Sequence, residues 1–266
     1  MFRLNNSGNL YYYTIDSFSK TGLVHHCFTT RKGGVSKNEY ESLNLRFNCG
    51  DNRENVIENY RIICDEIGVD YKNLVLSKQV HEDNVVTVTE ADRGNGIIIP
   101  NKFDSADGLI TADLQVPLVI FSADCVPIYF LDTKNRVIAL SHSGWRGTAK
   151  NIAAKTVEKM VCDFNSHTEN IICAIAPSIC QYHFETDYDV GEIFKTLDGG
   201  VMREYNGKCH IDLKKTIKNQ LLNSGIDESN ITCSDLCTCC EKELFYSHRR
   251  MGGARGSLAA IMELKG

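Results

Sequence analysis

The run Val116-Pro-Leu-Val-Ile-Phe-Ser-Ala-Asp-Cys125-Val-Pro-Ile-Tyr-Phe-Leu131 decides how this chain is read. It is the longest apolar stretch of the sequence. Ser122, Asp124 and Pro127 interrupt it, so it is not a membrane span, which takes about 20 consecutive apolar residues. Its halves, 116–121 and 126–131, read instead as two buried strands. Cys125 falls between them, where the backbone is held on both sides. Near-continuous apolar runs of this kind belong to sheets covered on both faces.

Short β-type runs precede this stretch at 10–15, 23–29, 85–89, 96–100 and 108–111, and 85–89 is rich in β-branched residues. Further strands are expected at 137–140, 171–176 and 258–264. Three helices are readable. The first, 54–67, puts Ile57, Tyr60, Cys64 and Ile67 on one stripe and stops at Gly68. The second, 149–161, carries Ile152, Ala153, Thr156, Val157 and Met160 at helical spacing. The third opens on Asp212 as N-cap, carries Leu213, Ile217 and Leu221, and ends at Gly225. Many strands with few helices and no regular alternation predict an α+β fold. No repeat, low-complexity tract or linker divides the 266 residues, so a single domain over 1–266 is expected.

Hydrophobic residues make up 42% of the chain, enough for a sizeable core and against global disorder. A net charge of −5 argues against a large nucleic-acid footprint, which would need a basic face, and leaves a local basic patch open. Twelve cysteines suggest disulfides only in a secreted protein. The polar start Met1-Phe-Arg-Leu-Asn-Asn-Ser-Gly8 does not read as a signal peptide. A cytoplasmic protein with reduced thiols, most of them small core residues, is the expectation. Nothing in the sequence speaks to oligomeric state.

His142 lies seventeen positions after Cys125 and beside the strand expected at 137–140, and His81 lies upstream in Lys78-Gln-Val-His81. Two imidazoles and a thiolate make a three-ligand zinc set with an open position, the arrangement of catalytic rather than structural zinc. The spacing matches no short zinc motif, and this many cysteines and histidines allow chance triples. The turn Ser143-Gly-Trp-Arg-Gly-Thr148 adds two glycines, Arg146 and a hydroxyl ahead of a helix, a set suited to phosphate or a carboxylate. The same residues also read as a nucleophile–base pair, Cys125 with His142, with Asp124 orienting or replacing the base. From residues alone, thiolate ligand and thiolate nucleophile both stand.

Cys233-Ser-Asp-Leu-Cys237-Thr-Cys239-Cys240 lacks the paired halves of a zinc ribbon and reads as core and loop thiols. Phe245-Tyr-Ser-His-Arg-Arg250 with Gly252-Gly-Ala-Arg-Gly256 is a basic segment suited to closing over an anion, or a solvated turn before the last strand. Thr29-Thr-Arg31-Lys-Gly33-Gly34-Val-Ser36 has neither the P-loop ending nor the dinucleotide fingerprint, so Walker-type ATP binding and NAD are not expected.

Taken together these segments resemble the purine nucleoside phosphorylase family once described as multicopper polyphenol oxidase or laccase, which includes the bacterial peptidoglycan editing factor. The matching pieces are His26-Cys-Phe-Thr-Thr-Arg31-Lys-Gly-Gly-Val-Ser36, Ser42-Leu-Asn-Leu45, Gln79-Val-His81, Ala106-Asp-Gly-Leu-Ile-Thr111, Ala123-Asp-Cys-Val-Pro127, His142-Ser-Gly-Trp-Arg-Gly-Thr-Ala149 and Phe245-Tyr-Ser-His-Arg-Arg250. They keep the family's order and span nearly the whole chain. Ser143 replaces the more usual alanine, and Gly256-Ser257 stands where Gly-Arg is common.

The resemblance implies packed central mixed sheets flanked by helices, in α/β/β/α layers. It implies a catalytic zinc on His81, Cys125 and His142, with copper the weaker alternative. Phosphate is implied as co-substrate near Arg146, and Arg31 and Asn44 are further candidates for substrate contact. The implied reactions are phosphorolysis of adenosine, inosine, guanosine and S-methyl-5'-thioadenosine, and adenosine deamination. The alternatives are a cysteine hydrolase editing peptidoglycan precursors through Cys125 and His142, a copper-dependent polyphenol oxidase, and a non-enzymatic interaction module. Three His/Cys positions fall well short of the ligands that a blue-copper and trinuclear assembly needs.

Overall fold

The structure, a computed structural model, describes residues 1–266. Its frame is two six-stranded mixed sheets. In spatial order the first runs Phe2–Ser7, Leu10–Ile15, Val24–Thr29, Leu258–Leu264, Leu118–Ser122 and Val75–Leu76. The second runs Ile231–Cys233, Ile171–Ile175, Val126–Asp132, Val137–Ser143, Gly108–Thr111 and Val85–Thr87.

Strand pleating sorts the side chains into layers. Leu118 and Ile120 enter the apolar cluster shared by the two sheets, whereas Val119 between them joins the cluster under the helix Arg53–Ile67. Leu258, Ala260, Met262 and Leu264 share that inter-sheet cluster with Tyr129, Leu131, Ile138 and Leu140 of the second sheet. Val126, Ile128 and Phe130 point the other way, onto Val157 and Met160 of the helix Ile152–Phe164 and Ile217 and Leu221 of the helix Leu213–Asn223. Period-2 alternation with both faces covered is why these strands read as unbroken apolar runs. The result is a single α+β domain with the α/β/β/α layering expected above.

Local chemistry sets the helix limits. Asn52 accepts the Glu54 amide at the start of Arg53–Ile67, and Gly68, at φ 76°, ends it in the left-handed region. Asp212 caps Leu213–Asn223 by accepting the Lys215 amide. The helix expected at 149–161 is two helices, Trp145–Ala149 and Ile152–Phe164. Asn151 separates them at φ 64°, a conformation its short polar side chain tolerates.

The strand expected at 96–100 is a tight turn. The amides of Ile97, Ile98 and Ile99 converge on the Gly94 carbonyl, and Ile98 and Ile99 are exposed. β-Branched composition without a neighbouring strand to pair with does not make a strand. The run at 85–89 is cut to Val85–Thr87, because Thr89 caps the following turn with Asp92. Phe2–Ser7, Ile231–Cys233, the helix Tyr188–Thr196 and a third sheet of Glu185–Thr186, Lys208–Ile211 and Met202–Tyr205 lie outside the elements expected from sequence.

The chain leaves the first sheet at Ser122 and enters the second at Val126, so the residues between them lie on the seam of the two sheets.

Glu263, in the last strand, is 7% exposed. Burial pushes its carboxyl up to about 7, with Arg93 opposing and Asp70 adding to the shift. The folded state thus keeps a proton that the unfolded chain loses near pH 4.5, so stability falls as pH rises from 4.5 through about 7. Glu263→Gln should flatten that limb of the pH–stability curve and gain roughly 1–3 kcal/mol at pH 8, measured by urea unfolding.

Candidate metal centre

Three elements deliver the donors expected from sequence. Cys125 occupies the crossing between the sheets, preceded by Asp124 at φ 97°. His142 lies within the strand Val137–Ser143, opposite Pro127, and not after the strand as the sequence suggested. His81 sits in a turn at φ 63°. The structure brings all three together, with their ligand atoms within 4.8 Å of one another. The His81 and His142 rings meet edge to face with centroids 4.9 Å apart. His142 is buried, Cys125 half-buried and His81 exposed, so the group opens outward on one side.

One buried carboxylate organises the two histidines. Asp107 is fully buried and accepts the Val80, His81 and Glu82 amides, each at 3.0 Å. It also lies 2.8 Å from His142 Nδ1. Burial alone would push the Asp107 carboxyl up, but the His142 ring and the Glu82 and Val80 amides outweigh it and hold it below the usual carboxylate range. An ionised carboxylate only accepts, so Nδ1 carries the proton and Nε2 is left for a metal. Sequence reading missed Asp107. It sits in the quoted segment Ala106-Asp-Gly, but nothing local distinguishes it from any acid beside a strand.

Charge is set for a cation. Burial pushes the Cys125 thiol up, yet His142 and His81 outweigh it and bring it down to about 6. Burial pulls the His142 imidazolium down, yet the Cys125 thiolate and Asp107 outweigh it and lift it to about 9. A thiolate facing imidazoles suits a soft or borderline divalent ion, which would replace the proton on His142. Sterics agree. A Cβ on Gly144 would stand 3.2 Å from Cys125 Sγ, 3.2 Å from His81 Cδ2 and 3.6 Å from His142 Cε1. Glycine here keeps open the space among the three ligands. These observations fit a resident metal.

The group opens on a cavity of about 660 Å³. Arg46, Lys78, Arg146, Arg249 and Arg255 line it, as do Phe47, Phe121, Phe184 and Trp145. Arg146 is exposed and lies over the Trp145 ring at 4.4 Å. Arg249 and Arg255 come from the basic segment before the last strand. Arg250 of that segment does not face the cavity but binds the Thr238, Cys239 and Phe245 carbonyls.

Arg31 and Asn44 do not line the cavity. Arg31 binds the Glu41 carbonyl at 2.9 Å and lies over the Tyr246 ring. Asn44 is fully buried, donates to Asp51 at 2.8 Å and accepts the Arg46 and Ser257 amides. Both brace the loops behind the cavity wall. Asp124 is not the partner of His142 either. Its carboxylate accepts from Thr238 at 2.7 Å, Ser247 at 3.0 Å and the Arg249 amide at 2.6 Å.

A family model described as multi-copper polyphenol oxidoreductase laccase matches residues 25–265, and the chain belongs to that family. Among its relatives is a protein of Bacillus subtilis named purine nucleoside phosphorylase YlmD, 32% identical over 243 residues that cover 90% of this chain and 87% of that one. Another, from an unknown prokaryotic organism, is named adenosine deaminase RL5. It is 34% identical over 242 residues, covering 88% of this chain and 92% of that one. The crystal structure of YlmD from Geobacillus stearothermophilus superposes with a TM-score of 0.91 at 32% identity over 100% of both chains. No helix is long and apolar enough to cross a membrane.

Replacing Asp107 by Asn should keep the shape but set an amide N–H against donors. Metal affinity should fall roughly 10–100-fold, measured by chelator competition, with the circular dichroism spectrum unchanged. Gly144→Ala should weaken the metal as well, by crowding rather than by charge.

Proposed function

We propose that this chain is a zinc-dependent purine nucleoside phosphorylase with adenosine deaminase activity. It would act on adenosine, inosine, guanosine and S-methyl-5'-thioadenosine. The observation that carries the reading is the convergence of His81, Cys125 and His142 at the mouth of a cavity lined by both guanidinium groups and aromatic rings. Relatives carrying phosphorylase and deaminase names support it. Two imidazoles and one thiolate serve a catalytic zinc or a blue-copper ion alike, and zinc is favoured because no methionine lines the cavity to act as the axial copper ligand.

When bound, the metal supplies Lewis-acid charge at its open position. The chain's own residues do the rest. Asp107 holds the His142 ring and the 80–82 turn in place. Arg146, with Arg249 and Arg255, holds phosphate by charge-assisted hydrogen bonds. Phe47, Phe121, Phe184 and Trp145 offer faces against which a purine stacks and from which water is excluded. In phosphorolysis the phosphate oxygen forms the bond to the anomeric carbon as the bond to the base nitrogen breaks, giving the free base and the ribose 1-phosphate. Without phosphate, water displaces the 6-amino group of adenosine and gives inosine and ammonia. Reduced thiols suit a cytoplasmic setting.

A second reading, a cysteine hydrolase acting on peptidoglycan precursors, draws support from the lowered Cys125 thiol. Two imidazoles converging on one thiolate favour a ligand over a nucleophile, which needs only one base.

The test is purified protein incubated with adenosine, with and without phosphate. Adenine and ribose 1-phosphate mark phosphorolysis, and inosine marks deamination. Cys125→Ala should lose both the metal and at least about 100-fold in turnover. Full turnover in metal-free Cys125→Ala would sink the reading, and covalent trapping of Cys125 in active, metal-free wild type would favour the hydrolase. Arg146→Ala should raise the phosphate KM by roughly 10–100-fold while leaving phosphate-free deamination largely intact.

A further inference from the structure

A second cluster of metal-ligating side chains lies away from the three donors described above. Cys180, His183, Cys237 and Cys240 bring their ligand atoms within 4.8 Å of one another. His183 Nδ1 stands 3.3 Å from the Cys180 sulfur, 3.9 Å from that of Cys237 and 3.5 Å from that of Cys240. In a tetrahedron with Zn–S of about 2.3 Å and Zn–N of about 2.0–2.1 Å, sulfur and nitrogen are separated by about 3.6 Å. The three distances scatter around that edge.

The sequence spacing supports the same chemistry once the fold shows which residues belong together. Cys237-Thr-Cys-Cys240 is a C-x₂-C half when Cys239 is left out, and the missing partner half is Cys180-Gln-Tyr-His183, more than fifty residues upstream. Reading residues 233–240 alone as core and loop thiols overlooked this. The two halves are adjacent because Ser178 and Cys237 form a parallel bridge, reinforced by the Thr238 amide on the Ser178 carbonyl at 3.1 Å. A turn amide also points at one of the sulfurs. Cys237 Sγ accepts the Cys180 amide at 3.3 Å. Backbone N–H groups aimed at thiolates stabilise their charge and fix their direction, as outer-shell hydrogen bonds do in metal sites.

We propose that Cys180, His183, Cys237 and Cys240 bind a structural zinc ion, closed at four protein ligands. This site does not rest on the enzymatic reading. It clamps the turn after Ile171–Ile175 to the turn after Ile231–Cys233. The first turn borders the cavity directly, and the second reaches its wall through Asp124. Phe184, next to His183, lines it, and Thr238, next to Cys237, holds the Asp124 carboxylate at 2.7 Å. Asp124 adjoins Cys125, so the ion fixes the wall from which one ligand of the other centre projects.

The experiment is zinc analysis by mass spectrometry of the full chain purified under reducing conditions. Wild type should carry about two zinc ions per chain. Cys125→Ala and Cys240→Ser should each carry about one, and the double variant about none. If Cys240→Ser does not fold, cobalt-substituted Cys125→Ala decides the matter, since only a remaining three-thiolate site gives it strong sulfur-to-cobalt absorption. One zinc per wild-type chain, lost entirely in Cys125→Ala, would overturn the proposal. So would a disulfide among Cys180, Cys237 and Cys240 in the native protein, or a colourless cobalt-loaded Cys125→Ala.

Discussion

The Asp107 carboxylate is the constraint on which the centre depends. A fully buried negative charge is costly unless it is paired and hydrogen-bonded. Here the three amides of Val80, His81 and Glu82 and the His142 ring meet that demand together. Satisfying one charge therefore ties a loop to a strand and sets the spacing between two imidazoles. The left-handed backbone of His81 is held by the same contacts. The Asp107 carbonyl adds a further tie by accepting the His142 amide.

The two-sheet architecture explains why a rigid donor set can sit at an open cavity. Cys125 belongs to neither sheet but to the three residues joining them, so both sheets hold its backbone in position. Asp124 turns its carboxylate away from the centre and into the segment 238–249, which carries Arg249 and leads to Arg255. The backbone that carries Arg249 is thereby anchored next to the thiolate, on the wall of the cavity that an anion would enter. Gly144 completes the arrangement by contributing no side chain.

Most of the fold was legible because burial on both faces leaves long apolar runs, and these marked the central strands of both sheets. The run at 96–100 had strand composition but lacked a partner, and pairing is not a local property. The helix expected from residue 149 starts only at Ile152, after Asn151, because periodicity reports which face is buried and not where the backbone becomes helical. The hairpin Met202–Tyr205 to Lys208–Ile211 carried a readable signal, Asn206-Gly207 at positive φ, which is the turn pair that two-residue hairpins favour.

The sequence by itself determined the layered α+β class, the family, and the candidates His81, Cys125, His142 and Arg146, because residue type and order carry that information. Only the tertiary structure decided that the three donors converge, that Asp107 rather than Asp124 orients His142, and that Arg31 and Asn44 brace loops instead of lining the cavity. It alone joined Cys180 and His183 to Cys237 and Cys240. The physical reason is the same in each case: a ligand set or a buried charge is satisfied by atoms close in space, and strand pairing brings together residues that the chain keeps dozens of positions apart.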